Sequence, residues 1–122
     1  RIMLHTPVML DVTLPSGSGI PMREIQKDLY AIGKNIIWMN FSGNDFNETD
    51  LSILKNMTNI EKLRLERNPL GDEVVTLLSD LKYLEALNMN ETRLTDDGLT
   101  RLKQHPSLKR IYAWKTFVQE KN

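Results

Sequence analysis

Cysteine is absent from these 122 residues. That excludes disulfides, thiol nucleophiles and zinc sites built on thiolates. Excess charge of either sign is also absent. The 16 basic residues balance the 16 acidic ones, so no electrostatic footprint marks a nucleic acid or an anionic membrane surface as partner. No apolar run approaches the roughly 18 residues of a spanning helix. Histidine occurs only at His5 and His105, far apart in the chain. No nucleophile elbow or HExxH pattern occurs, and the loop PSGSGIP lacks the lysine and following Ser/Thr of a phosphate loop. These absences argue against an enzyme, and they lead us to expect no metal and no cofactor. The first residue is Arg1 and no signal peptide is visible, so the chain reads as a mature protein or an excised domain.

What is present is periodic. Residues 36–59, 60–83 and 84–107 are one phrase written three times, and LKRIYAWKTFV from Leu108 is half of a fourth copy. The apolar ladder is Ile36, Met39, Phe41 and Phe46, then Ile60, Leu63, Leu65 and Leu70. It continues as Leu84, Leu87, Met89 and Leu94, and ends as Leu108, Ile111, Ala113 and Val118. This is L-x-x-L-x-L-x-x-N-x-L, the leucine-rich repeat signature. Asn44 and Asn68 hold the asparagine slot, and Thr92 and Thr116 replace it later. The slot has a physical purpose: the chain turns sharply there, buried amides need partners, and an Asn side chain both donates and accepts.

The second half of each repeat predicts a helix. Asn47, Gly71 and Thr95 share the N-cap slot. Acids follow in the first turn: Glu48 and Asp50, Asp72 and Glu73, Asp96 and Asp97. They suit the helix dipole better than they suit a metal or an acid–base pair. Leu51, Leu54, Val75, Leu78, Leu99 and Leu102 form the inner face, with Met57, Leu81 and His105 in a further column. His105, beside Pro106, reads as a partly exposed loop residue and not a ligand.

Upstream, Val8, Leu10, Val12 and Leu14 alternate with Met9, Asp11 and Thr13 between Pro7 and Pro15, as in a half-buried edge strand. A helix is expected over 21–32, with Pro21 at its first position and Gly33 closing it in a left-handed conformation. The expected organisation is one α/β leucine-rich repeat solenoid, a right-handed arc with a concave parallel sheet and convex helices. Residues 1–35 form an N-terminal strand–helix cap, 36–118 the repeats, and 119–122 a polar tail.

In such a stack, strand positions between ladder residues face solvent and line up in columns. These are Trp38, Lys62, Ala86 and Arg110; Asn40, Arg64, Asn88 and Tyr112; Ser42, Glu66, Asn90 and Trp114; and Gly43, Arg67, Glu91 and Lys115. The candidate binding residues are Trp38, Asn40, Arg64, Glu66, Asn88, Asn90, Arg110, Tyr112 and Trp114, because Trp, Tyr and Arg dominate binding hot spots. A structural reading stands beside this one, with Trp38 packed under the cap and Trp114 covering the open C-terminal edge. Sequons at Asn40, Asn47, Asn56 and Asn90 are read as chance occurrences.

Thr95, Asp96, Gly98 and Leu99 carry a further likeness: residues 36–118 resemble bacterial leucine-rich repeats of the T-D-x-G-L type. LKRIYAWKTFV is similar to the closing L-x-x-L-Y-L-W-x-T-x-V of repeats at the C-terminal end of certain membrane-anchored bacterial proteins that carry a c-type cytochrome domain. The motif is complete only in the third copy, and the chain has no C-x-x-C-H, so it would hold no covalent haem itself. The resemblance implies a recognition domain on the periplasmic or extracytoplasmic side, as part of a larger parent. The expected function is non-catalytic binding of a protein or peptide, or a glycan, across the concave face. The alternative is an assembly domain, monomeric or weakly homo-oligomeric through its C-terminal edge.

Overall fold

A computed structural model gives the fold of residues 8–119. His5 and the tail beyond Gln119 lie outside the described residues. The repeat step becomes a sheet register. β1 (Leu10–Thr13), β2 (Ile36–Asn40), β3 (Lys62–Arg64), β4 (Ala86–Asn88) and β5 (Arg110–Tyr112) lie side by side in chain order, each pair parallel. Parallel neighbours cannot be joined by a hairpin, so each repeat must cross back over the far side of the sheet before its next strand. Met39, Leu63, Leu87 and Ile111 stand in file.

The apolar ladder is the core. In the three full copies each of its residues is at most 2% exposed. In the half copy Leu108, Ile111, Ala113 and Val118 are only half-buried, because among the described residues nothing stacks beyond β5. On the crossing side, α1 (Met22–Ile32) packs against a 3₁₀ helix (Asp50–Asn56), which packs against α2 (Val74–Leu78), followed by α3 (Asp96–Lys103). The expected row of regular helices is therefore corrected. Val74, Val75 and Thr76 are β-branched in succession, which shortens α2. Ser52 and Ile53 are weak helix formers in the first copy. Among the repeats only α3 completes two turns, with Leu99 in the Val75 slot and Arg101 in the Ile53 slot.

Two hydrogen-bond ladders join the copies. The first is at the turn after each strand, where Gly43, Arg67, Glu91 and Lys115 all adopt positive φ, from 54° to 65°. The residue that follows holds the bend. Asn68 Nδ2 donates to the carbonyls of Phe41, Leu65 and Glu66, and Asn68 Oδ1 accepts from the amides of Asn44 (3.1 Å) and Phe46 (2.9 Å). Thr92 and Thr116 bond only within their own copy: they donate to Met89 and Ala113, both at 2.7 Å, and Thr116 Oγ1 also accepts from the Val118 amide (3.2 Å). Asn44 Oδ1 in turn accepts from the amide and hydroxyl of Ser18. The N-terminal segment therefore joins as an atypical repeat, with a bulge between Leu10 and Asp11, and covers the β2 edge as expected.

The second ladder was not anticipated. The acids at the first slot after the cap reach forward one repeat. Glu48 accepts from the Gly71 amide (2.8 Å), Asp72 from the Thr95 amide (2.9 Å) and hydroxyl, and Asp96 from the Gln119 amide (2.8 Å). Dipole compensation alone does not account for them. Gly98 makes room for this: a Cβ there would collide with the Asp72 carboxylate and with Leu94. Capping itself differs from copy to copy. Thr95 accepts weakly from Gly98 N, Asn47 and Asp50 exchange reciprocal bonds, and Gly71 offers no side chain.

Two expectations for the first helix need correction. Pro21 lies just before the helix in extended backbone (ψ 150°), not at its first position. Gly33 is right-handed (φ −52°), because the chain runs on into a 3₁₀ turn, Gly33–Asn35. Its small size serves close packing, since a Cβ would lie 2.9 Å from the Asn56 carbonyl oxygen.

Asp72→Ala should lower stability by about 1.5–3 kcal/mol, the range for hydrogen bonds to a charged group. Gly98→Ala should cost about 1–3 kcal/mol by overpacking. The double variant should cost less than the sum, because both changes disrupt one contact. Urea denaturation of the three variants checks this.

Candidate functional site

The register places two rows of side chains across the open sheet face. The first is Asp11, Trp38, Lys62, Ala86 and Arg110, and the second is Thr13, Asn40, Arg64, Asn88 and Tyr112. Alternation fixes this: Val12, Met39, Leu63 and Leu87 turn into the core, so their neighbours turn out. Both rows match the columns expected from sequence. The fourth expected column, Gly43 to Lys115, forms the left-handed turn instead.

The nine candidate residues divide into two groups. Asn40, Arg64, Glu66, Asn88 and Asn90 are committed to the protein itself. Asn40 Oδ1 accepts from Ser42 N, Asn88 Oδ1 from Asn90 N, and Asn90 Oδ1 from Trp114 N, at 2.7–2.9 Å. Glu66 is a correction. It was expected on the solvent face but is 3% exposed, sunk past the strand end. Arg64 Nη2 (2.5 Å) and Nε (3.1 Å) both donate to its Oε2, and Asn88 Nδ2 donates to the same oxygen at 3.3 Å. These donors offset the water that the enclosed carboxylate has lost. The hydrogen bond to Glu66 holds the Arg64 guanidinium above its ordinary pKa, against the opposing effect of burial and with help from the Glu66 charge. Among the described residues no buried side-chain polar atom lacks a partner.

Trp38, Arg110, Tyr112 and Trp114 remain available to solvent. Trp38 is 38% exposed, Tyr112 50% and Trp114 60%. Trp38 stands on the sheet face and not under the cap. Lys115 Nζ lies 4.5 Å from the centre of the Trp114 ring, a cation–π contact. Trp38, Lys62, Arg64, Ala86, Arg110 and Tyr112 line a shallow depression of about 230 Å³. Lys62 was placed in the right column by the sequence but not counted among the binders. Phe117, 63% exposed at the end of the stack, was also missed. Its signal was an aromatic residue in the slot that holds Pro69 and Arg93 in earlier copies.

His105 has a structural role. Its Nδ1 accepts from the Ser107 amide (3.2 Å), so Nε2 donates to the Leu78 carbonyl (3.0 Å) and ties the third copy to the second. Among the described residues no helix is long and apolar enough to cross a membrane.

A parallel sheet with one strand per copy, an internal apolar ladder and asparagine-held turns define a leucine-rich-repeat-like solenoid. No protein-family model and no curated protein matches the chain. Among solved structures 28 chains match. One is an internalin from Listeria monocytogenes, 16% identical over 67% of this chain, with a TM-score of 0.47. The chain spans 29% of that protein's length. The fold assignment rests on the strand register and the buried ladder.

The split between committed and available residues has a thermodynamic signature. Arg64→Ala should cost about 1–3 kcal/mol, because Glu66 is left buried without its counter-charge while Arg64 itself is partly screened by solvent. Arg110→Ala should change stability by less than about 0.5 kcal/mol, as for an isolated surface position. Thermal and urea melts of the two variants check this.

Proposed function

We propose that this chain is a non-catalytic recognition module that binds a protein or peptide across its open sheet face, the inner side of the arc. The observation that carries this reading is the division of labour on that face. The polar centre is locked internally, while Trp38, Arg110 and Tyr112 on the strands and Trp114 in the turn after β5 keep exposed surfaces. Rigid aromatic anchors lose little side-chain entropy on binding and bury large areas. Their scaffold is ordered before the ligand arrives, which lowers the cost of association. We place the module on the extracytoplasmic side of a bacterial cell within a membrane-anchored parent. The T-D-x-G-L phrase at Thr95–Leu99 and the closing L-x-x-I-Y-A-W-x-T-x-V phrase support that placement. A membrane-spanning segment and C-x-x-C-H encoded upstream would support it, and their absence from the gene would remove it.

A second reading has its own observation. Leu108, Ile111, Ala113 and Val118 are half-exposed where the ladder of the three full copies is sealed, and β5 is the last strand of the sheet among the described residues. An open parallel edge over an incomplete core layer suits assembly with another chain. Sedimentation velocity across a wide concentration range separates the two, since a monomer throughout removes the assembly reading.

For the recognition reading, proteins captured by the immobilised chain are purified and titrated singly by calorimetry. Trp38→Ala and Tyr112→Ala should each weaken binding about tenfold or more, as hot-spot truncations do. The melting temperature should stay within a degree or two. Unchanged affinity in both variants would reduce the face to scaffold.

A further inference from the structure

Resting on that reading of the sheet face, we infer that the ligand is an extended acidic peptide whose carboxylate sits over Ala86, between Lys62 and Arg110. Four observations converge on this chemistry.

The first is the placement of charge. Lys62, Ala86 and Arg110 occupy one row on three consecutive strands. The two cations are therefore two strand spacings apart, roughly 10 Å between backbones. Between them stands the short side chain of Ala86, which lines the same depression. Side chains as long as Lys and Arg reach inward over that gap, and a carboxylate entering it meets both.

The second is charge availability. The ion pairs among the described residues are Arg64–Glu66 and Arg67–Glu91. Arg64, the third cation of the depression, is neutralised by Glu66 from below. Among the described residues neither Lys62 nor Arg110 meets a carboxylate at ion-pairing distance or forms a side-chain hydrogen bond. The face thus carries two cations without an ion-pair partner, one on β3 and one on β5, although the whole chain is neutral.

The third is the sign change beyond Trp38. Asp11 and Glu61, with Ile37, Trp38 and Lys62, line the adjoining depression. An acidic residue is repelled there and attracted over Ala86, which fixes where it sits. The part of the ligand lying toward β2 is apolar and rests on the indole of Trp38.

The fourth observation separates a peptide from a sugar. Sugar hydroxyls are held by side-chain acceptors as well as donors. The acceptor oxygens of Asn40, Asn88 and Asn90 already take backbone amides, and the Glu66 oxygens take Arg64. Trp38 and Tyr112 stand three strands apart, about 14 Å, beyond the span of one sugar ring. A peptide of four or five residues at about 3.3 Å each crosses that distance and touches both.

The test is selection from a phage-displayed library of random dodecapeptides on the folded chain, followed by fluorescence-anisotropy titration of the selected sequences as synthetic peptides. The expected result is enrichment of Asp or Glu next to apolar residues. Replacing those acids by Asn or Gln should weaken binding about tenfold, and raising salt should weaken it further. The double variant Lys62→Gln/Arg110→Gln should bind the acidic and amide peptides equally, with an unchanged melting temperature, and Ala86→Leu should block both. Selected peptides without acid enrichment that still lose affinity in Tyr112→Ala would overturn the acidic ligand and leave the recognition face intact. Peptides indifferent to Tyr112→Ala and to the double variant, or no selected peptides at all, would overturn both. Displacement of the acidic peptide by a sialylated oligosaccharide at lower concentration than by its own unlabelled form would assign the site to a glycan instead.

Discussion

A parallel strand leaves its turn with amides and carbonyls that its own repeat cannot satisfy, and each must find a partner one step along the stack. That requirement governs this molecule. The asparagine slot meets it on one side of the solenoid, and the acid after the cap meets it on the other. Asn68 alone ties the carbonyl of Phe41 and the amides of Asn44 and Phe46 to its own turn. Asp72 does the equivalent for Thr95. Because Asn44, Asn68 and the acids all bond across copies, a change of even one residue in the repeat length would break these contacts. A buried polar group left without its partner costs about 1–3 kcal/mol, so two ladders of such contacts hold the spacing firmly.

The sheet face follows from this spacing. Once Met39, Leu63, Leu87 and Ile111 are in file, Trp38, Lys62, Ala86 and Arg110 must be in file one residue before them. The row that could bind is thus positioned by the row that cannot move. The same logic explains why the polar centre is quiet. Residues at the strand ends are recruited to hold the turn, and Asn40, Asn88 and Asn90 give their carbonyl oxygens to it. What remains for a partner lies in the rows where side chains are long and the turn makes no demand.

Much of this was legible in the sequence, for a definite reason. Strand order, register and the buried ladder follow from a strict period and from apolar residues at fixed offsets, and both are visible without coordinates. The cap helix was legible from Met22, Ile25, Leu29 and Ile32. The convex side was less so. The same slots carry Asp50, Val74 and Gly98, and the short local propensities decide between 3₁₀ and α geometry. Gly33 was read as a turn former because glycine often is one, whereas its role is to let Asn56 approach, a contact with a residue in the next copy. Glu66 was misplaced for a similar reason. Periodicity says which way a backbone position faces, but it does not say that a neighbouring Arg64 folds a carboxylate under. The acid ladder could have been found: Glu48, Asp72 and Asp96 recur at the repeat period, and a dipole effect alone does not require one fixed slot.

The central claim is that side chains of one copy hold the backbone of another. Residue-resolved amide hydrogen exchange on the chain and on its Asn68→Ala variant measures this directly. If the account holds, the variant loses protection at the amides of Asn44 and Phe46, in the preceding copy, while Leu87 and Asn88 keep most of theirs. Protection that is lost only around positions 65–70, or lost evenly along the chain, would contradict it.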